Sequence, residues 1–215
     1  IDWSEGVSKW VQVDAACFAW IKAGDVLRLN CKDVQSGAQG GILKSGDWTL
    51  LSGDSYKVIN ADDGYYEYTV TADMVSELKA NGMIVSGIGY TLPSIDIYAN
   101  VTISDAGIST LCLTFNATVP SGMSVYTLGT LSGDKITATK VESCSVIPAG
   151  EGVLIKGASG QQYTMYATSS AADHLGGNTL KGVTRDATAG ANDYAFTLKD
   201  GSAVFAQVAS GTAIP

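Results

Sequence analysis

The chain has 215 residues, 46% of them hydrophobic, with 21 acidic against 13 basic side chains and a formal net charge of −8. That length and apolar content suffice for a sizeable core in one or two domains, and the acid excess argues against nucleic acid, whose backbone is held by clustered Lys and Arg. The apolar runs are too short to cross a membrane, and a chain that opens on Ile1 without a basic, apolar leader reads as a mature or excised fragment.

In chain order, Trp3 reads as a core residue, and Trp10-Val11-Gln12-Val13 is the first predicted strand. Alternation turns Val11 and Val13 inward and leaves Trp10 and Gln12 outward. Phe18 and Ile21 form the next core pair, which puts Trp20 at an exposed edge. In Val26–Cys31, Leu27, Leu29 and Cys31 point in, while Arg28 and Asn30 point out. The turn Gly46-Asp47 and the apolar Leu50-Leu51 predict a strand entering the core, with Trp48 serving the fold first. Tyr66, Tyr68 and Val70 point in, which leaves Tyr65, Glu67 and Thr69 outside. One helix is predicted over 71–82: Thr71 caps it, Met74, Val75 and Leu78 make its apolar stripe, and Gly82 stops it.

After the strand Ile95–Tyr98 the composition shifts. The four tryptophans all precede residue 49; ANVTISDAGIST is small, polar and turn-rich, and a Thr-, Ala- and Ser-rich series of strands that includes Gly152–Ile155 follows it. The expected boundary falls near 99–102. The expected architecture is all-β: two tandem antiparallel β-sandwich domains, 1–99 and 100–215, with one short helix near 71–81.

Catalytic signatures are sparse. The single histidine, His174, sits in a loop-like SSAADHLGGN and reads as solvated; no GxSxG, HExxH or GxxxxGK[ST] occurs, and Gly37, Gly40 and Gly41 do not make a dinucleotide fingerprint. Asp47, Asp54 and Asp63 adjoin glycines and read, like Glu151, as solvated turn carboxylates rather than a glycosidase pair. A structural calcium at such a turn is the one ion the composition admits; no other cofactor is expected. Cys17, Cys31, Cys112 and Cys144 lack CxxC spacing and read as buried thiols. Asn100-Val101-Thr102 and Asn116-Ala117-Thr118 are sequons, sites for glycosylation where they are exposed.

The aromatic content is the remaining signal. Sugar rings have apolar C–H faces that stack on flat aromatic side chains and a rim of hydroxyls that bonds amides, carboxylates and guanidinium groups. The candidate surface is Trp10 and Trp20 as the stacking pair, Trp48 or Tyr65 extending it, and Gln12, Arg28 and Glu67 on hydroxyls. It requires that the strands carrying Trp10 and Gln12 share a sheet with those carrying Arg28, Tyr65 and Glu67.

Residues 1–99 resemble the carbohydrate-binding β-sandwich modules of secreted, polysaccharide-degrading Bacteroidetes proteins. The resemblance rests on Asp2-Trp3-Ser4-Glu5-Gly6, FAWIKAGDVLRL (18–29), GDWTLLSG (46–53) and YYEYTVTADMVSELKANGMIVSGIGYTLPSIDIY (65–98). It implies a non-catalytic module that binds a plant cell-wall β-glycan of glucan or xylan type, attached in cis to a glycoside hydrolase and secreted or displayed at the cell surface. Residues 100–215 resemble an all-β domain at the C-terminal end of such proteins, through GISTLCLTFNATVPSGMSVYTL (107–128), VIPAGEGVLIKG (146–157), GNTLKGV (177–183) and ANDYAFTLKDGSAVFAQVASGTAIP (191–215). That likeness implies a spacer or attachment role and no activity. The competing expectation for the chain is a structural spacer or surface-interaction module without a sugar site, in which the tryptophans are buried.

Overall fold

Period-two alternation of apolar residues, broken by turn glycines, carries most of the chain into antiparallel strands. The computed structural model describes residues 10–51, 56–133, 135–183, 187–191, 193–200 and 202–214, so Trp3 lies outside the described residues. The protein is all-β with one α-helix, and it divides into two compact units, Ile1–Ala99 and Asn100–Pro215.

The first unit runs β1 (Trp10–Val13), a 3-10 turn (Ala15–Phe18), β2 (Val26–Lys32), β3 (Gln39–Leu43), β4 (Lys57–Val58), β5 (Tyr65–Thr69), α1 (Ala72–Asn81), β6 (Met83–Ile88) and β7 (Thr91–Thr102). Two antiparallel sheets form. One has the order β1-β6-β3-β4, and in the other β2 lies between β5 and β7. Leu27, Leu29, Cys31, Tyr66 and Tyr68 of the second sheet share one buried cluster with Ile42, Met83 and Val85 of the first. Phe18 and Ile21 join it as the expected pair. Val11 differs from its expectation: it is 38% exposed, because β1 is an edge strand with β6 as its neighbour on one side.

Helix α1 follows its local signals. The Thr71 hydroxyl accepts from Met74 N at 3.3 Å, Met74 and Leu78 are buried, and Gly82 stops the helix at φ +71° while its N–H bonds Leu78 O. The core is built around tyrosines. Tyr66 meets Tyr68 and Tyr90 edge to face, with ring centroids 6.0 and 5.9 Å apart, and the Tyr66 and Tyr90 hydroxyls lie 3.0 Å apart. Gly40 and Gly87 face each other across β3 and β6 and leave the space these rings occupy; a Cβ on Gly40 would fall 2.6 Å from Tyr66 Cε1.

Asp25 is the one fully buried carboxylate among the described residues. Lys22 N donates to Oδ2 at 2.9 Å, whereas Oδ1 has no partner. Burial raises its pKa, against the backbone bond and the charges of Lys22 and Lys79. A carboxyl raised on folding stabilises the fold below its unfolded pKa, and that contribution is lost as pH rises through the folded value. Asp25→Asn keeps an acceptor for Lys22 N and removes the buried charge. The variant is expected to be more stable than the parent at neutral pH by up to about 1 kcal/mol. The gain should vanish below about pH 3.5, where the aspartate is protonated in both states; urea denaturation at the two pH values measures it.

The compositional break near residue 100 is not a loop. Strand β7 runs through it, and beyond Ala99 the chain bonds within the second unit, where Thr164 Oγ1 donates to Asn100 Oδ1 and Ile103 N to Gln161 O. That unit continues with β8 (Ile108–Leu111), β9 (Ala117–Thr118), β10 (Ser124–Ser132), β11 (Lys135–Lys140), β12 (Val146–Ile147), β13 (Val153–Lys156), β14 (Gln162–Tyr166), β15 (Ala187–Thr188), β16 (Tyr194–Lys199), β17 (Ser202–Gln207) and β18 (Ala213–Ile214). Its largest sheet has the order β11-β10-β13-β8, and β12-β9, β15-β18 and β16-β17 form antiparallel pairs. Met123, Val125, Leu128, Val153 and Ile155 supply buried side chains.

Candidate functional site

The expected surface separates into two. Trp10 and Gln12 stand on β1 in one sheet; Arg28, Tyr65 and Glu67 stand on β2 and β5 in the other. The condition that would have made them one surface is not met. Trp20 stands on no strand of either sheet and is half-buried, rather than at the expected exposed edge, in the turn that buries Phe18 and Ile21.

On the first outer face the loop after β3 decides the geometry. Residues 45–48, Ser-Gly-Asp-Trp, close a hairpin in which Lys44 N bonds Thr49 O at 2.8 Å and Trp48 N bonds Lys44 O at 3.1 Å. Asp47 Oδ1 braces the turn by accepting from Thr49 N and Thr49 Oγ1, and those bonds hold its carboxyl below the usual range. The last turn position needs a left-handed backbone, which normally falls to Gly or Asn. Here Trp48 occupies it at φ +62°, at a cost of about 1 kcal/mol. The expectation that Trp48 enters the core is corrected: its side chain is 49% exposed, because the left-handed bend turns it out of the strand path.

Trp48 meets Trp10, itself 45% exposed, with ring centroids 5.3 Å apart and planes at 89°. Beside them Gln12 Nε2 donates to Ser45 Oγ at 3.2 Å. One N–H and the carbonyl oxygen of that amide have no partner among the described residues. Trp10, Ser86 and Gly41 stand in one row across β1, β6 and β3. Tyr56 covers Gly41 closely enough that a Cβ there would lie 2.8 Å from its ring. Ser45, Tyr56 and Ser86 were not singled out by alternation. Gly41 is the signal that a side chain packs closely on this face, since glycine inside a strand marks close approach on the face it would occupy.

The second outer face is bound up with itself. Arg28 Nε donates to Glu67 Oε1 at 2.6 Å, and Tyr98 Oη donates to the same oxygen at 2.7 Å. The Arg28 guanidinium lies 4.2 Å from the Tyr65 ring centre and 5.2 Å from that of Tyr98. Asn30 Nδ2 donates to Ser94 Oγ and Asp96 Oδ2. Burial, with the bond to Glu67, pushes the Tyr98 hydroxyl up to about 12. Groups already paired this way give up an existing bond to take a sugar hydroxyl.

In the second unit His174 is tied to Glu151, Nδ1 lying 2.7 Å from Oε2, while its side chain stays 82% exposed. Glu151 is buried, which corrects its reading as a solvated turn carboxylate. Burial pushes its pKa up, but bonds from Asn178, His174 and Leu175 outweigh that and hold it below the usual range. Asn178 joins this brace to the sheet: its amide donates to Glu151 and Gly152 O, and its oxygen accepts from Leu128 N and Leu180 N. These contacts fasten the loop after β14. Asn116 is also engaged, donating to Ser170 O and accepting from Ala149 N, so that sequon serves the fold. A cavity of about 630 Å³ in this unit is lined by Leu128, Leu154, Phe196 and Phe205, with Lys135 and Tyr194 also on its walls.

Asp54 lies outside the described residues, and among those described no cluster of three or more His, Cys, Asp or Glu is disposed to hold a metal ion. Cys31 is buried, and burial raises its thiol pKa to about 11. Cys17 is exposed and Cys112 and Cys144 are half-buried, which corrects the expectation that all four are buried. No helix among the described residues is long and apolar enough to cross a membrane.

These features define an all-β protein of antiparallel sandwich sheets whose first unit displays an aromatic corner on one outer face. No family model, curated protein or solved structure matches the chain.

Proposed function

We propose that this chain is a non-catalytic carbohydrate-binding protein whose first unit grips a plant cell-wall β-glycan on the Trp10 and Trp48 corner. The observation that carries this reading is two half-exposed tryptophans in contact, one of them kept in a left-handed backbone that its size disfavours. Strained residues of this kind persist where the surrounding structure holds them and cluster at binding sites. The rings offer apolar faces to sugar C–H groups, and Gln12 and Ser45 offer an amide and a hydroxyl to the rim. The same exposure weighs against a spacer with all its tryptophans buried. Trp20, Arg28, Tyr65 and Glu67 move to a supporting place, since they lie off the corner. In keeping with the resemblance of both halves, the protein is secreted or held at the cell surface and acts beside a glycoside hydrolase in cis, with the second unit as spacer or attachment.

Affinity electrophoresis in soluble β-glucan, xylan and mannan tests the reading. Retardation by at least one of them is expected, at a Kd in the micromolar to millimolar range, about −4 to −8 kcal/mol. Trp10→Ala should lose it, while Trp20→Ala and Tyr65→Ala should keep it. Mobility unchanged in every glycan would overturn the function. Retardation that survives Trp10→Ala and is lost in Tyr65→Ala would move the site to the second face.

A further inference from the structure

The two rings of the corner cannot lie flat against one surface. Their planes meet at 89° with centroids 5.3 Å apart, so the edge of one ring abuts the other. A crystalline polysaccharide surface presents successive sugar rings in a common plane, and an aromatic platform that stacks on it has to be coplanar as well. Here one tryptophan stacked on such a plane leaves the other standing perpendicular to it, which holds the plane away or contributes only an edge. A single chain in solution has no such constraint. Its units turn about their linkages, so one unit can stack on a tryptophan face while a neighbour or the chain end turns against the other ring.

The polar pair reinforces this. Gln12 Nε2 and Ser45 Oγ bond each other beside the rings, so they address the hydroxyl rim of a unit seated in the corner. In a packed crystal that rim is already bonded to neighbouring chains. The hairpin turn fixes where the Trp48 side chain leaves the backbone: Trp48 N is tied to Lys44 O, and Asp47 to Thr49, on both sides of the left-handed position. Flattening the corner means turning one ring about its side-chain bonds and giving up the edge-to-face contact with the other.

Resting on the carbohydrate-binding reading above, we infer that the Trp10 and Trp48 corner selects single, soluble β-glycan chains and rejects the flat face of the same polysaccharide in packed form.

The test sets each soluble glycan beside the packed form of the same chain: cello-oligosaccharides beside crystalline cellulose, manno-oligosaccharides beside crystalline mannan, arabinoxylan beside debranched, insoluble xylan. Calorimetry or affinity electrophoresis reads the soluble arm, and depletion from solution reads the packed arm, with Trp10→Ala and Trp48→Ala as controls in both. The expected result is association with a soluble chain about ten-fold or more tighter than with its packed form, lost in both variants. Equal or tighter association with the packed form, lost in the same variants, overturns the selection and leaves the carbohydrate-binding reading in place. No association in either arm for any glycan overturns that reading and this inference together.

Discussion

Trp48→Gly is expected to abolish glycan retardation while leaving the first unit within about 1 kcal/mol of its parent stability. Two effects of similar size oppose each other. Glycine adopts the left-handed turn without the cost, about 1 kcal/mol, that a bulky side chain incurs at φ +62°. Against that, the edge-to-face contact with Trp10 is lost, a contribution of about 0.5–1.5 kcal/mol. Trp48→Ala loses the same contact and keeps the strain, so it should be about 1 kcal/mol less stable than Trp48→Gly and equally unable to bind. Chemical denaturation of both variants beside affinity electrophoresis separates the possibilities. A ring that merely staples the hairpin predicts the reverse pattern, with binding retained and stability lost in both.

Gly40→Ala is expected to destabilise the first unit by about 2–3 kcal/mol, read as a lower denaturation midpoint at unchanged slope. The added Cβ falls 2.6 Å from Tyr66 Cε1, and that ring has no room to retreat. It is 4% exposed, wedged between Tyr68 and Tyr90, and its hydroxyl is bonded to that of Tyr90. Relief requires spreading the sheets or leaving buried hydroxyls without partners, and both cost more than the methyl gains. Gly41→Ala makes a useful contrast. Its Cβ meets Tyr56 at 2.8 Å on the outer face, against a half-buried ring rather than one enclosed in the core, so the loss should stay near 1 kcal/mol. Equal losses at the two positions would mean that the tyrosine core is softer than its packing implies.

Much of the local structure was legible in the residues. Thr71 and Gly82 bound α1 because a hydroxyl cap and a left-handed stop act within one helical turn. Leu27, Leu29, Tyr66 and Tyr68 point inward because successive side chains on a strand take opposite sides. The site was legible only in part. Alternation put Trp10 and Gln12 outside, but it misjudged Trp48, since the run Thr49-Leu50-Leu51 looks the same whether the preceding turn ends in extended or left-handed backbone. Gly41 signals a close approach inside its strand, but that the ring covering it is Tyr56, fifteen positions later, depends on the tertiary structure.

The sequence by itself determined the all-β class, the helix and its ends, and the side of β2 and β5 that faces the core, all of which depend on neighbours a few residues apart. Only the tertiary structure decided that β1 and β2 belong to different sheets, which parts Trp10 from Arg28, and that the chain crosses from one unit to the next inside β7. It also set Trp48 against Trp10 at a right angle. A strand carries its hydrogen-bonding groups along both edges whatever its side chains are, so its pattern tells which face is buried but not which distant strand will pair with it.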